Sequence, residues 1–315
     1  MRFILIVIFS FFIFSEDEGY ATNGDVKIYY KDFGPVTNTP VLLIMGLGGQ
    51  LTYWPDFFID FLIENGYRPI VYDNRDVGLS TSFKDSGRPN FIWNYVKFYT
   101  GLPIISTYSL EDMANDGLAV LDHLDIDKSH LVGMSMGGMI SQHLASNNSN
   151  RFYTLTLIAS MAKTPDASTA PKGRLAKLLN DRSRSQKTIE KRIERAIEIY
   201  SLLDAGNTDF DTKEFKQGVI DNINRSKEDS GFSRQLLAIL ADRTREESVK
   251  NITLPTLIVH GELDPLIPFN EGLNTHELIK SSTFIPVKDM GHLLTKKSLD
   301  KFDVEIINHL DSNYH

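Results

Sequence analysis

The sequence predicts an α/β protein in which a mostly parallel sheet is covered by helices on both faces, with an inserted helical cap. Three observations carry this expectation. Short apolar runs rich in β-branched residues alternate with stretches of helical spacing, the grammar of strand–helix–strand units. Several runs are continuously apolar, as strands buried on both faces must be. Between residues 161 and 251 the strand signals stop and helical spacing takes over. The chain has 315 residues, 42% of them hydrophobic and 23% charged, enough for one large core.

The elements follow in order. Met1-Arg2, then the apolar run from Phe3 to Phe14, then Ser15-Glu16-Asp17-Glu18 has the layout of a signal peptide or an N-terminal anchor over residues 1–15. Twelve residues span about 18 Å as a helix, short of the roughly 30 Å hydrocarbon core. A leader of this kind predicts an exported protein, periplasmic or secreted, with residues 3–14 as its point of membrane association. Without it the protein would be cytoplasmic. Val26 to Tyr30 is the first alternating run, and Val41 to Met45, Pro69 to Tyr72, His130 to Val132, Leu155 to Ile158 and Leu257 to Val259 are the later strands. Leu110 to Leu124 reads as a helix entered through a capping box, with Ser109 as N-cap and Asp112 three residues on. Ile189, Ile193, Ile197, Tyr200 and Leu203 share one face of a helix, and Phe232 to Leu240 forms another apolar stretch. The domain reading is a core of residues 16–160 plus 252–315 and a cap of residues 161–251. Turn-rich flanks at Lys163 to Gly173 and Asn251 to Pro255 lead into and out of the cap.

The chemistry sits in the loops after the strands. Gly133-Met134-Ser135-Met136-Gly137-Gly138 places Ser135 between a strand and a helix, with glycines at −2 and +2 where side chains would collide with neighbouring backbone. A serine hydroxyl is a weak nucleophile, so it needs a positioned base and a carboxylate to orient that base. His260-Gly261-Glu262-Leu263-Asp264 follows the Leu257 to Val259 strand, and Asp289-Met290-Gly291-His292 comes later, in the order serine, acid, histidine. Asp264 is the preferred acid over Asp166, and His260, at a strand end, reads as a structural hydrogen-bonding residue. Two backbone donors should face the oxyanion: Met136 N–H, just after the nucleophile, and Leu47 N–H in the Gly46-Leu47-Gly48-Gly49 loop, with Gly46 as the fallback. Met134, Trp54 and Trp93 are the candidate pocket residues.

In these motifs the chain resembles the α/β-hydrolase superfamily, in its lidded serine esterase-like branch that includes the aclacinomycin methylesterase type. The likeness runs from about Gly24 to Leu310. It rests on Met45-Gly46-Leu47-Gly48-Gly49, Asp73-Asn74-Arg75-Asp76-Val77-Gly78-Leu79-Ser80, the Gly133 to Gly138 turn, His260 to Pro268 and Gly291-His292. It implies the α/β-hydrolase fold, a nucleophile at Ser135, an acid at Asp264, a base at His292 and oxyanion donors at Leu47 and Met136. Many relatives carry His-Gly where this chain has Met45-Gly46. The donors are backbone groups, so catalysis is expected to survive while the loop's supporting hydrogen bonds must be found elsewhere.

The function expected is hydrolysis of a neutral, fairly apolar carboxylic ester through an acyl-enzyme. Carbon–carbon bond hydrolysis, amide or peptide cleavage and perhydrolysis with the same three residues are the alternatives, as is a receptor-like ligand-binding protein on a hydrolase scaffold. A net charge of −8 argues against a nucleic-acid partner. The chain has no Cys and no His-Glu-x-x-His, so no metal site is expected, and the glycine loop lacks the Lys of a phosphate loop, so no cofactor is expected either. The partner expected is a small-molecule ester.

Overall fold

Eight strands form one sheet in the order β1-β2-β4-β3-β5-β6-β7-β8 in the computed structural model, which describes residues 17–181, 188–226 and 231–312. The leader expected at residues 1–15 lies outside the described residues. Strands β1 (Asp17–Asn23) and β2 (Val26–Asp32) make an antiparallel hairpin about Gly24, and β2 pairs antiparallel with β4 (Tyr67–Tyr72). From β4 onward every pairing is parallel, through β3 (Thr39–Ile44), β5 (Ser129–Met134), β6 (Phe152–Ile158), β7 (Thr256–Gly261) and β8 (Ser282–Val287). All six residues of β4, β5 and β7 are buried, which is why each carries a short apolar run such as Ile70-Val71, Leu131-Val132 and Leu257 to Val259. The outermost strands, β1 and β8, alternate or are only partly buried, and neither is visible as an apolar run.

Two cores result, one on each face. On one side Leu42, Ile44, Ile70 and Leu131 meet helix α3 (Leu110–His123) and helix α4 (Met136–Asn147). On the other, Val41, Leu43 and Val71 meet helix α1 (Asp56–Glu64) through Phe58 and Leu62, and helix α12 (Asp303–Asp311) through Ile306 and Leu310. Helix α3 begins in the capping box that the sequence predicts, Ser109 Oγ accepting from Asp112 N–H and the Asp112 carboxylate from Ser109 N–H.

The stretch between β6 and β7 is helical: α5 (Gly173–Leu179), α6 (Ile189–Leu203), α7 (Lys213–Arg225), α8 (Gly231–Ala241) and the short α9 (Arg245–Ser248). Its second half is continuous with the core. In α8, Ala238 and Ile239 join the α3–α4 core, and Arg234 makes a bidentate ion pair with Asp76, both side chains essentially inaccessible. Tyr108 donates to the same Asp76 carboxylate. Breaking such a pair from one side strands a charge and costs about 3–5 kcal/mol, so the pair ties α8 to the loop after β4. Arg75, next in sequence, pairs with fully buried Asp116 of α3. Both charges of the Arg75-Asp76 segment are thus used to tie loops together.

Two sheltered imidazoles, His130 buried within the sheet and His309 half-buried on α12, weaken the fold in acid. His130 of β5 bonds Thr154 Oγ1, His309 of α12 bonds Leu155 O, and the two are close enough to repel when charged. Burial pushes His130 down to about 3 and His309 down to about 4. An unfolded histidine titrates near ~6.5, so below that pH the unfolded chain binds the extra protons. Their contribution is complete above pH ~6.5 and is lost as the pH falls toward 4. The urea midpoint is expected to drop between pH 7 and pH 5, each imidazole contributing up to about 2 kcal/mol, and to drop less in His309→Gln.

Candidate active site

The carboxyl ends of four parallel strands carry the candidate residues to one place, the position where sheets of this kind hold their ligands. β5 runs directly into Ser135, whose backbone is forced to φ 54° and ψ −121° before α4 begins. The turn is compressed on both sides: a Cβ on Gly137 would lie 1.9 Å from Ile44 O, and one on Gly133 would lie 2.4 Å from Gly137 O. Ser135 N–H donates to Ile158 O, and Ser160 Oγ donates to Ser135 O, so the strained residue is held by the neighbouring strand.

β7 delivers Asp264 and β8 delivers His292. His292 Nδ1 and Asp264 Oδ2 are 2.7 Å apart and both side chains are buried. The other carboxylate oxygen, Oδ1, accepts from the Leu266 and Ile267 amides at 2.8 and 2.9 Å. Asp264 is therefore fixed in rotation before it meets the imidazole. His260 lies 3.5 Å from Asp264 Oδ2 and bonds Ile267 O through Nε2, and burial lowers its pKa, so it stays neutral as a strut. Asp166 takes no part in this cluster; it pairs with Lys163 and accepts from Ser168. With Nδ1 engaged by Asp264, Nε2 is the His292 nitrogen left to accept a proton.

A cavity of about 500 Å³ opens over Ser135 and His292. Its floor includes Met134 and the Met45 to Gly49 loop, and its roof comes from the helical insertion, with Ile199, Tyr200, Phe215 and Phe232 among the contributors. The roof is held down by polar contacts. Arg225 of α7 pairs with fully buried Asp73 and reaches Gln50, and Gln50 in turn donates to Asn222 O. His292 N–H donates to Leu203 O at the end of α6, which couples the insertion to the histidine loop.

Leu47 lines the cavity, and Met136 N–H is the first amide of α4, with no acceptor inside the helix. Among the described residues neither Leu47 N–H nor Met136 N–H donates to a protein acceptor. A Cβ on Gly46 would sit 3.6 Å from Ser135 Oγ, so this loop passes directly beside the hydroxyl. Its support, in the absence of a His-Gly pair, comes from two residues not singled out by the sequence reading. Asn74 donates to Met45 O, and Gln235 of α8, fully buried, accepts from Gly48 N–H at 2.8 Å while donating to Arg75 O. A lone glutamine inside the apolar Phe232 to Leu240 stretch was the available signal.

Two pocket expectations are corrected. Trp54 is 2% exposed and stacks on Phe58 in the core on the α1 side of the sheet, because the apolar face of α1 needs a large partner there. Trp93 stands on helix α2 (Phe91–Thr100), 53% exposed and beside Lys97, outside the cavity lining. Met134 does line the cavity. Among the described residues no cluster of three or more His, Asp or Glu could hold a metal, and no helix is long and apolar enough to cross a membrane.

A family model for the alpha/beta hydrolase fold matches residues 39–296. The chain belongs to the alpha/beta hydrolase fold family. Within that family it is 26% identical to a rhodomycin D methylesterase from Streptomyces peucetius, over 87% of this chain and 91% of that protein. It is 27% identical to a 2-hydroxy-6-oxononadienedioate/2-hydroxy-6-oxononatrienedioate hydrolase from Escherichia coli, over 90% and 91% of the two chains. A thermophilic esterase from Thermogutta terrifontis superposes with a TM-score of 0.68 at 20% identity, covering 96% of this chain and all of the other, a likeness of fold. The hydrolase's short Asp264–His292 bond should give a strongly downfield proton resonance for His292 Nδ1–H. Asp264→Asn is expected to remove that resonance, as read by proton NMR in the imidazole region.

Proposed function

We propose that this alpha/beta hydrolase is a serine hydrolase that cleaves a neutral, fairly apolar carboxylic ester through an acyl-enzyme on Ser135. The observation that carries the reading is a histidine bonded to a buried, fully ligated carboxylate, lining the same cavity as a serine on a strained strand-to-helix turn. In this mechanism Ser135 Oγ attacks the ester carbonyl carbon while His292 Nε2 takes the hydroxyl proton. Asp264 holds the ring in the required tautomer and stabilises the imidazolium. The Leu47 and Met136 amides receive the negative oxygen of the tetrahedral intermediate. Collapse expels the alcohol, protonated by His292, and water delivered through the same base releases the acid and restores Ser135.

The helical stretch 161–251 acts as the cap that gives the substrate its pocket. Its apolar contributors Ile199, Phe215 and Phe232 favour an uncharged acyl or alcohol group of drug-like size. The methylesterase likeness supports an ester, and the Escherichia coli likeness supports carbon–carbon bond hydrolysis as the runner-up.

The full chain, assayed on p-nitrophenyl esters of graded acyl length, is expected to turn over with an optimum set by the cavity. Ser135→Ala should lose at least about a thousandfold in kcat. Turnover of vinylogous 1,5-diketones with no ester hydrolysis would instead select the runner-up. Gln235→Ala frees the Gly48 amide and loosens the oxyanion loop, so kcat should fall about tenfold with KM nearly unchanged, measured on the optimal ester.

A further inference from the structure

Between β4 and α3 the chain makes an excursion, residues 84–108, that the hydrolytic chemistry does not use. Its centre is α2. Five of the eleven exposed large apolar side chains among the described residues fall within its short span from 93 to 105. Trp93, Val96 and Tyr99 recur at a spacing of three, so they occupy one side of the helix, and Leu102 and Ile105, the latter 78% exposed, add two more exposed apolar side chains in the turn that follows. Isolated exposed hydrophobics are ordinary, but a contiguous set marks an interaction surface.

The platform is anchored rather than loose. Arg234 donates to Gly87 O before the helix, Arg243 donates to Leu102 O after it, and Ile104 and Tyr108 are buried. The helix also closes cleanly, with Gly101 in the left-handed conformation at its end and Leu102 N–H donating to Lys97 O.

The chemistry of this surface selects its partner. Tryptophan and tyrosine are the side chains that sit at a membrane–water boundary, with apolar rings below and a polar edge above. Lys97, close to the Trp93 ring, can keep its ammonium in the headgroup layer while its stem lies along the apolar surface. Charge points the same way: residues 84–108 hold Lys84, Arg88 and Lys97 against Asp85 alone, a basic segment on a chain whose net charge is −8. Anionic lipid headgroups attract such a segment even when the rest of the molecule is repelled.

We propose that α2 and the Leu102 to Ile105 turn form an interfacial docking surface for an anionic lipid bilayer, with Trp93, Val96 and Tyr99 inserted and Lys97 at the headgroups. This rests on the exposed face alone and is independent of the ester reading.

The two tryptophans make the test local, because Trp54 is buried and Trp93 is exposed. The full chain is mixed with vesicles of phosphatidylcholine containing a quarter phosphatidylglycerol, and emission and iodide quenching are followed. Trp93 emission is expected to shift to shorter wavelength and lose its iodide quenching. The shift should weaken in high salt and on pure phosphatidylcholine, and disappear in Val96→Glu/Tyr99→Glu. The single variant Lys97→Glu, at a half-buried lysine with its ammonium near the Trp93 ring, should weaken it while circular dichroism reports an intact fold. Sedimentation of the protein with vesicles while Trp93 emission stays unchanged would overturn the proposal, since another part of the chain would then hold the lipid. An equal response to neutral vesicles would overturn the choice of anionic lipid. A Trp93 already shielded from iodide without vesicles would also overturn it, because the face would then be covered by residues 3–14 or a second copy of the chain.

Discussion

The close passage of α4 across the ends of β3 and β5 is the constraint on which the rest of the site depends. The carbonyl of Ile44 lies where a Cβ of residue 137 would be, and the carbonyl of residue 137 lies where a Cβ of residue 133 would be. Glycine at both positions lets helix and strands approach to this distance. The residue between them then has to turn within a single step, and Ser135 takes the positive φ that results. The same approach brings Gly46 against the Ser135 side chain, so one packing event forms the turn and sets the nearby loop. Larger side chains at these glycines would move the helix away and lose all of these relations together.

Around that contact the polar groups are tied to one another more tightly than packing alone requires. Asp264 spends one oxygen on two backbone amides and the other on His292, which leaves it no freedom to rotate. The Met45 to Gly49 loop is held at one end by Asn74 and at the other by Gln235. The helical insertion contributes to both arrangements, through Gln235 on the loop and through Leu203 O on the backbone of His292. A helix that packs into the core by Arg234 and Asp76 thus also positions groups at the cavity, which joins the packing of α8 to the geometry of the site.

Much of this was legible in the sequence, for physical reasons that differ by element. The central strands were visible because burial on both faces demands continuous apolar runs, and α3 was visible because its capping box is local. Ser135, Asp264 and His292 stood out because each follows a strand and is flanked by turn residues. Strands β1 and β8 were not visible, since edge strands bury only part of their surface and show no apolar run. Trp54 and Trp93 were misjudged for a related reason. A large aromatic serves a core, a pocket or a surface equally well, and only the three-dimensional position decides which. Gln235 was missed because its partner, Gly48, lies 187 residues away in the chain.

The central claim is that Ser135 is a nucleophile activated by His292 and Asp264, and covalent labelling tests it most directly. The full chain treated with a fluorophosphonate and digested for mass spectrometry should carry one adduct, on the peptide containing Ser135. Labelling should be absent in Ser135→Ala and much slower in His292→Ala and Asp264→Asn. An unlabelled wild-type chain that is folded, or an adduct on a different serine, would contradict the account.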